Sequence, residues 1–298
     1  MLPRMTAEPT GATLHVVGDV HGHWRDADRS FLEQRGDDLA LFVGDLGDED
    51  VAMTERIAAI ETRKLVLLGN HDAWQSFQQK RPTPKLRRIL DALGNDHLAY
   101  DVHECYAGGA SIIGARPFSW GGKSLRSPEL YRELYGVTTH AESAARIVDA
   151  ARRAQHRDLV VLCHNGPLGL SWASSDIWGK DFGQPGGDWG DADLELALEQ
   201  IAALGLRVRA VIGGHMHARL MFPRGGRRTR FVRRGDTLFC NAAVVPRVVG
   251  EGRDQVGHFL RVRLQGGAVV GFDEIWVDVE GKLAREERPV TVELPRVS

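Results

Sequence analysis

Five short blocks of this chain set carboxylates, a carboxamide and imidazoles at spacings that suit metal chemistry. Gly18-Asp19-Val20-His21-Gly22 offers a carboxylate and an imidazole two residues apart, and Gly44-Asp45-Leu46-Gly47-Asp48 offers two carboxylates. Gly69-Asn70-His71-Asp72, Cys163-His164-Asn165-Gly166-Pro167 and Gly213-Gly214-His215-Met216-His217 add the remaining donors. Oxygen and imidazole nitrogen donors of this kind suit Mn, Fe or Zn, and the absence of thiolate from the set argues against a closed structural zinc site. Taken singly, each block has an ordinary reading: Asp and Asn cap helices and form turns, and a lone His beside a buried strand is commonly a hydrogen-bonded core residue. The repetition of one pattern is harder to explain that way, because the capping reading leaves the histidines without a role.

Each block follows an apolar, β-rich run, and these runs read as buried strands: Leu14 to Val17, Leu39 to Val43, Leu65 to Leu68, Leu159 to Leu162 and Val208 to Ile212. Helical spacing at Trp24, Ala27, Phe31 and Leu32, and again over Val51 to Ile60, makes the first part a βαβαβ unit, which opens the carboxyl ends of its strands to ligands. Further helices are expected at Pro84 to Leu93, His140 to Ala154 and Ala192 to Leu204, the last with Asp191 as N-cap. From Ala218 onward, alternating runs broken by Gly-Gly and Arg-Gly-Asp turns read as antiparallel β-structure. With no repeat and no linker, the chain is expected to form a single domain over residues 1–298. Within it, 1–13 is a tail, 171–190 an active-site insertion rich in Trp, Gly and Asp, and 218–298 a β-rich part.

In this order the blocks resemble the calcineurin-like metallophosphoesterase superfamily, whose signature runs D-x-H, G-D-x-x-D, G-N-H-D/E, H and G-H-x-H. The resemblance spans Asp19 to His217. It implies an α/β fold of two facing mixed β-sheets flanked by helices, with two divalent ions at the strand ends, Mn, Fe or Zn, of which Mn is the expected choice. Carried over position by position, Asp19, His21 and His217 would hold one ion, Asn70, His164 and His215 the other, and Asp45 both. His71 would be free of metal.

The function so implied is hydrolysis of a phosphomonoester or phosphodiester by a metal-bridging hydroxide, with His71 protonating the leaving oxygen. Asp48, the second aspartate of its block, would orient His71, and Asp72 is the alternative. Protein phosphatases of this superfamily follow that aspartate with a phosphate-binding arginine. Here the residue is Glu49, whose charge would repel phosphate, which sets the chain apart from that subgroup.

Outside the blocks, Arg116 beside Ser119-Trp120-Gly121-Gly122 is a candidate anion contact, as is the insertion with Trp172, Trp178, Lys180 and Trp189. The expected partner is a small phosphorylated, nucleotide-like substrate. The basic run Arg224, Arg227, Arg228, Arg230, Arg233 and Arg234 leaves a nuclease as the rival enzyme, and a catalytically silent scaffold is the rival from another class. Composition sets bounds on these readings. A chain of 298 residues that is 43% hydrophobic and 26% charged, with net charge −2, is globular and has no global attraction to nucleic acid or anionic membrane. Three widely spaced cysteines, Cys105, Cys163 and Cys240, do not make a disulfide framework. With no run of about 18 apolar residues and no signal-like stretch from Met1 to Thr13, a cytoplasmic location is expected.

Overall fold

The computed structural model describes residues 11–36 and 38–294. The expected tail lies outside the described residues as far as Thr10, and its last residues enter the first strand, β1 (Ala12–Val17). Then follow α1 (Asp26–Glu33), β2 (Leu39–Phe42), α2 (Val51–Ala58) and β3 (Lys64–Val66). β1, β2 and β3 are parallel neighbours, with Val17 beside Phe42 and Phe42 beside Val66. One register row therefore ends all three strands at the same level, and their ligand blocks emerge together.

A second parallel group carries the later blocks. After α3 (Trp74–Gln79), α4 (Pro84–Leu93), β4 (Val102–Cys105), β5 (Ala110–Gly114), α5 (Pro128–Tyr135) and α6 (His140–Arg153) come β6 (Asp158–Leu162), α7 (Ala192–Ala203) and β7 (Arg207–Gly213). Leu162 pairs with Ile212, and Ile212 with Cys240 of β9 (Thr237–Asn241), which follows β8 (Phe231–Arg234). The helices have local causes. Thr83 caps α4 by accepting from Leu86 N, with Pro84 in the first turn, and Leu86, Ile89 and Leu93 form its buried face. Thr139 and Glu142 make a capping box on α6. Asp191 stands at the N-cap of α7 but makes no cap hydrogen bond, because its carboxylate is engaged by Arg116 and Ser119.

The chain closes with β10 (Val248–Val249), β11 (Val256–Gln265), β12 (Ala268–Val277), β13 (Leu283–Glu287) and β14 (Val292–Leu294). The expectation of a purely antiparallel carboxyl-terminal part is corrected here. β11, β12 and β13 are antiparallel, but β9 lies parallel to β7 and β14 parallel to β8. These late strands do not form a layer of their own. β11 pairs with β1 and extends the first sheet to β13-β12-β11-β1-β2-β3, with β10 also paired to β11, while β9, β8 and β14 extend the second to β14-β8-β9-β7-β6-β5-β4. The result is two mixed seven-stranded sheets flanked by helices, which share one hydrophobic core.

Candidate metal centre

The blocks leave their strands through backbone turns that few residues adopt. Asp19, His21, Asp45 and His215 have φ of 35°, 44°, 51° and 68°, a left-handed conformation uncommon outside glycine and concentrated at functional sites. Two glycines make the convergence sterically feasible. A Cβ on Gly69 would lie 2.3 Å from an Asp45 oxygen and 2.5 Å from the His164 ring, and one on Gly214 would lie 2.1 Å from an Asp19 oxygen. No side chain fits where these loops meet the ligand groups.

All seven expected ligand residues meet at the strand ends. His21 Nε2 is 3.3 Å from His217 Nε2 and 3.7 Å from Asp45, while His217 Nε2 is 3.5 Å from Asp19. On the other side of Asp45, His164 Nε2 lies 3.4 Å from the Asp45 carboxylate and 2.9 Å from Asn70 Oδ1. Donors about 2.1 Å from one shared cation stand roughly 3.0–3.5 Å apart, so these separations are compatible with ligands around shared ions. Three groups are spaced so that they could hold an ion: Asp19, His21 and His217; Asp45, His164 and His215; and His21, Asp45 and His71.

The electrostatics point the same way. Asp19 and Asp45 are 1% exposed, and no lysine or arginine pairs with either among the described residues. Burial opposes the charge on Asp45, yet the surrounding histidines, His164 foremost, hold its carboxyl below the usual range. The converse applies to His164, where burial favours the neutral ring but the Asp45 charge lifts it to about 10. Burial and the neighbouring His164 push His215 down to about 3. An imidazolium thus does in the bare chain what a cation would do. The residues fit divalent ions by donor type, separation and uncompensated charge.

Supporting contacts orient these donors. His164 Nδ1 donates to Val43 O at 2.6 Å, which turns Nε2 toward Asp45 and Asn70. Asp72 is the hub of the first-sheet loops, accepting from Leu46 N, Gly47 N and Gly69 N, so it is not available to orient His71. Burial and the nearby Asp45 raise its carboxyl to about 8. His71 Nδ1 instead meets Asp48 at 2.6 Å, and its ring stacks on Trp74 with centroids 5.0 Å apart.

Several expected contacts are corrected by the structure. Arg116 is 4% exposed, with its guanidinium held by Asp193 at 2.7 Å and Asp191 at 2.8 Å, so it cannot also fork a substrate phosphate. It ties the loop after β5 to the start of α7. Glu49 is not presented to an incoming phosphate: its carboxylate is buried and takes hydrogen bonds from Ser76 and Thr83. Of the basic run, Arg228 is buried with Nη1 donating to Ser174 O, Asp176 O and Gly179 O, Arg230 pairs with Glu274, Arg234 donates to Gly169 O and Arg233 faces Glu293. Among the described residues, Arg224 and Arg227 alone of the six have neither an ion pair nor a side-chain hydrogen bond. The six arginines therefore do not form one unpaired cationic face for a polyanion.

The 171–190 insertion is ordered rather than structureless. Asp188 accepts from Gly169 N, Leu170 N and Ser171 N through one carboxylate oxygen and from Gly190 N through the other. Trp178 is fully buried against Gly166 and donates to Gly214 O, so it is a core anchor, while Trp172 is 69% exposed. Asn241 was not anticipated. Fully buried at the end of β9, it donates to Ile177 O and Met216 O and accepts from Ala243 N, fastening the insertion to the His215-Met216-His217 turn. The signal was available, since Asn241 ends a short apolar strand just as the ligand blocks do.

A family model described as calcineurin-like phosphoesterase matches residues 12–219. No curated protein sequence matches the chain. Among solved structures, one is similar over 85% of this chain and 95% of its own at 11% identity and a TM-score of 0.52. A crystal structure of a protein from Thermus thermophilus is similar over 86% of this chain and 100% of its own, at 9% identity and a TM-score of 0.50. A dimetal phosphatase from Danio rerio matches 90% of this chain and 99% of its own at 11% identity, with a TM-score of 0.45. At such identities the first two likenesses are of fold. No helix among the described residues is long and apolar enough to cross a membrane.

Proposed function

Since the chain belongs to the calcineurin-like phosphoesterase family and is a metal-dependent phosphoesterase, we propose that it hydrolyses small phosphate esters at the centre around Asp45, with His71 as the proton donor to the leaving oxygen. Asp19, His21 and His217 would hold one divalent ion and Asn70, His164 and His215 a second, with Asp45 shared; Mn suits this oxygen and nitrogen donor set. Ions held there would neutralise ester charge and supply hydroxide near neutral pH.

The observation that carries the reading is the placement of His71. Its Nδ1 is occupied by Asp48, so the ring is held in one orientation and Nε2 is the nitrogen open to a substrate. The ring sits 4.9 Å, centroid to centroid, from His21 and lines the same cavity as Asp45, Asn70, His215 and His217. A proton donor beside the reacting group, fixed by a carboxylate and by stacking on Trp74, has the geometry that general acid catalysis requires. Asp48 is a positioning residue in this scheme. Arg116 is not part of it.

The test is hydrolysis of p-nitrophenyl phosphate and bis(p-nitrophenyl) phosphate by metal-stripped chain, before and after addition of Mn²⁺. Activity that returns with metal supports the reading, and the preferred ester separates monoester from diester. A count of two bound ions that falls in Asp45→Asn supports the shared ligand. Two tightly bound ions without hydrolysis of either ester would leave the chain a silent scaffold.

A further inference from the structure

The metal centre opens at one end of a cavity of ≈ 740 Å³, a volume that suits a drug-sized ligand rather than a bare phosphate. Its remaining walls differ in kind from the metal-binding end. Trp74, Trp120, Phe182 and Trp189 supply aromatic surface, and Met216 and Leu220 add aliphatic surface. Trp74 is 37% exposed, although it stacks on His71 and sits 5.4 Å from Trp120. Trp120 and Trp189 are half-buried, and together with the exposed Trp74 they offer aromatic surface on which a flat ring can stack.

The same cavity carries a positive rim. Lys123, Arg126 and Arg219 line it, and among the described residues none of the three has a carboxylate partner. The Arg126 guanidinium lies 3.8 Å above the Trp120 ring, beside aromatic surface rather than an anion. Outside the ligand blocks the lining holds one carboxylate, Asp181, and it is already engaged by Met221 N at 2.8 Å and Arg228 at 3.1 Å. Among the described residues, three cations without carboxylate partners therefore border a space walled by aromatic and aliphatic side chains. A ligand that complements both must be flat, and anionic at a place remote from the scissile phosphate.

We propose that this cavity is a subsite for a leaving group that contains a flat aromatic base and a second phosphate, which makes the substrate class a nucleotide phosphorylated twice. That the occupant is a substrate rests on the phosphoester hydrolysis proposed above, whereas its aromatic and anionic character rests on the cavity. A phosphorylated protein side chain would leave both the tryptophans and the cationic rim without a partner.

The probes are ribose 5-phosphate, adenosine 5′-monophosphate and adenosine 3′,5′-bisphosphate, which add first the ring and then the second anion. Binding is read by tryptophan fluorescence on the metal-free chain, and turnover as kcat/KM on the Mn²⁺-loaded chain. Each addition is expected to improve binding and kcat/KM by about tenfold. Lys123→Ala with Arg126→Ala should abolish the gain from the second phosphate and keep the gain from the ring, while Trp120→Ala should reduce the gain from the ring. Hydrolysis of p-nitrophenyl phosphate together with equal treatment of the three probes would overturn the subsite alone. Selective binding without any metal-dependent hydrolysis would uphold the subsite and overturn the phosphoesterase reading.

Discussion

The His71 imidazole donates from Nδ1 to Asp48 at 2.6 Å although the Asp48 side chain is 73% exposed. A contact so open to water contributes little to stability, so its consequence lies in ring orientation. Asp48→Asn is therefore expected to lower kcat by about 10- to 100-fold with melting temperature unchanged. His71→Ala should cost about 10²- to 10⁴-fold, more for esters with poor leaving groups than for p-nitrophenyl esters. A leaving-group series on both variants checks this, and equal losses along the series would remove the proton-donor role.

Gly69 provides a test of how closely the ligand loops must approach. An added methyl group would meet both Asp45 and His164, so Gly69→Ala should displace the shared carboxylate. The expected result is loss of bound metal, counted by elemental analysis, with destabilisation of about 1–3 kcal/mol. Full retention of two ions would show that the loops can relax without cost to the centre.

Asp188 holds four backbone N–H groups of the 171–190 insertion and its flanks, and no other described residue does the same. Asp188→Ala leaves those donors unsatisfied in a partly buried loop, at a cost of about 1–3 kcal/mol per group that finds no water. Limited proteolysis should then cut within 171–190 at rates that leave the rest of the chain intact. Unchanged cleavage would mean that Trp178 alone anchors the loop.

A buried ion-pair cluster away from the centre predicts an acid limit to stability. Asp28 is fully buried and pairs with Arg247 and Arg25, each at 2.6 Å. Burial opposes its charge, but the two guanidinium groups outweigh this and hold its pKa below the usual value. A depressed folded-state pKa contributes stability that is complete above the unfolded value, about 3.9, and is lost as pH falls through the folded value. Asp28→Asn should destabilise by about 3–5 kcal/mol at neutral pH, because Arg247 is left buried and unpaired. The deficit relative to the parent should shrink as pH falls below about 4, which denaturant titrations at several pH values would read.

The ligand blocks were legible in the sequence because each is a local statement. An apolar strand, a glycine and a donor within five residues declare a sharp turn at a strand end, and Thr83 before Pro84 or Thr139 before Glu142 declares a helix start in the same local way. Residue type and spacing by themselves thus pointed to the candidate donors, the parallel strands that precede them and the family that the chain resembles. α3 and α5 escaped notice, α3 because an element of 6 residues carries too few turns to establish a period.

What only the tertiary structure decided are the contacts made across long stretches of chain. Arg116 reads as a phosphate fork until Asp191 and Asp193, more than seventy residues away, enclose it. Arg228 reads as one cation in a basic run until three carbonyls of the insertion surround its guanidinium, and Glu49 reads as repulsive until Ser76 and Thr83 turn it inward. The last third of the chain reads as an antiparallel layer until β11 pairs with β1 and β9 with β7. A charged side chain or a strand edge has the same local appearance whether or not it is already satisfied. Its partner is chosen by packing and desolvation of the whole molecule, and no local pattern encodes that choice.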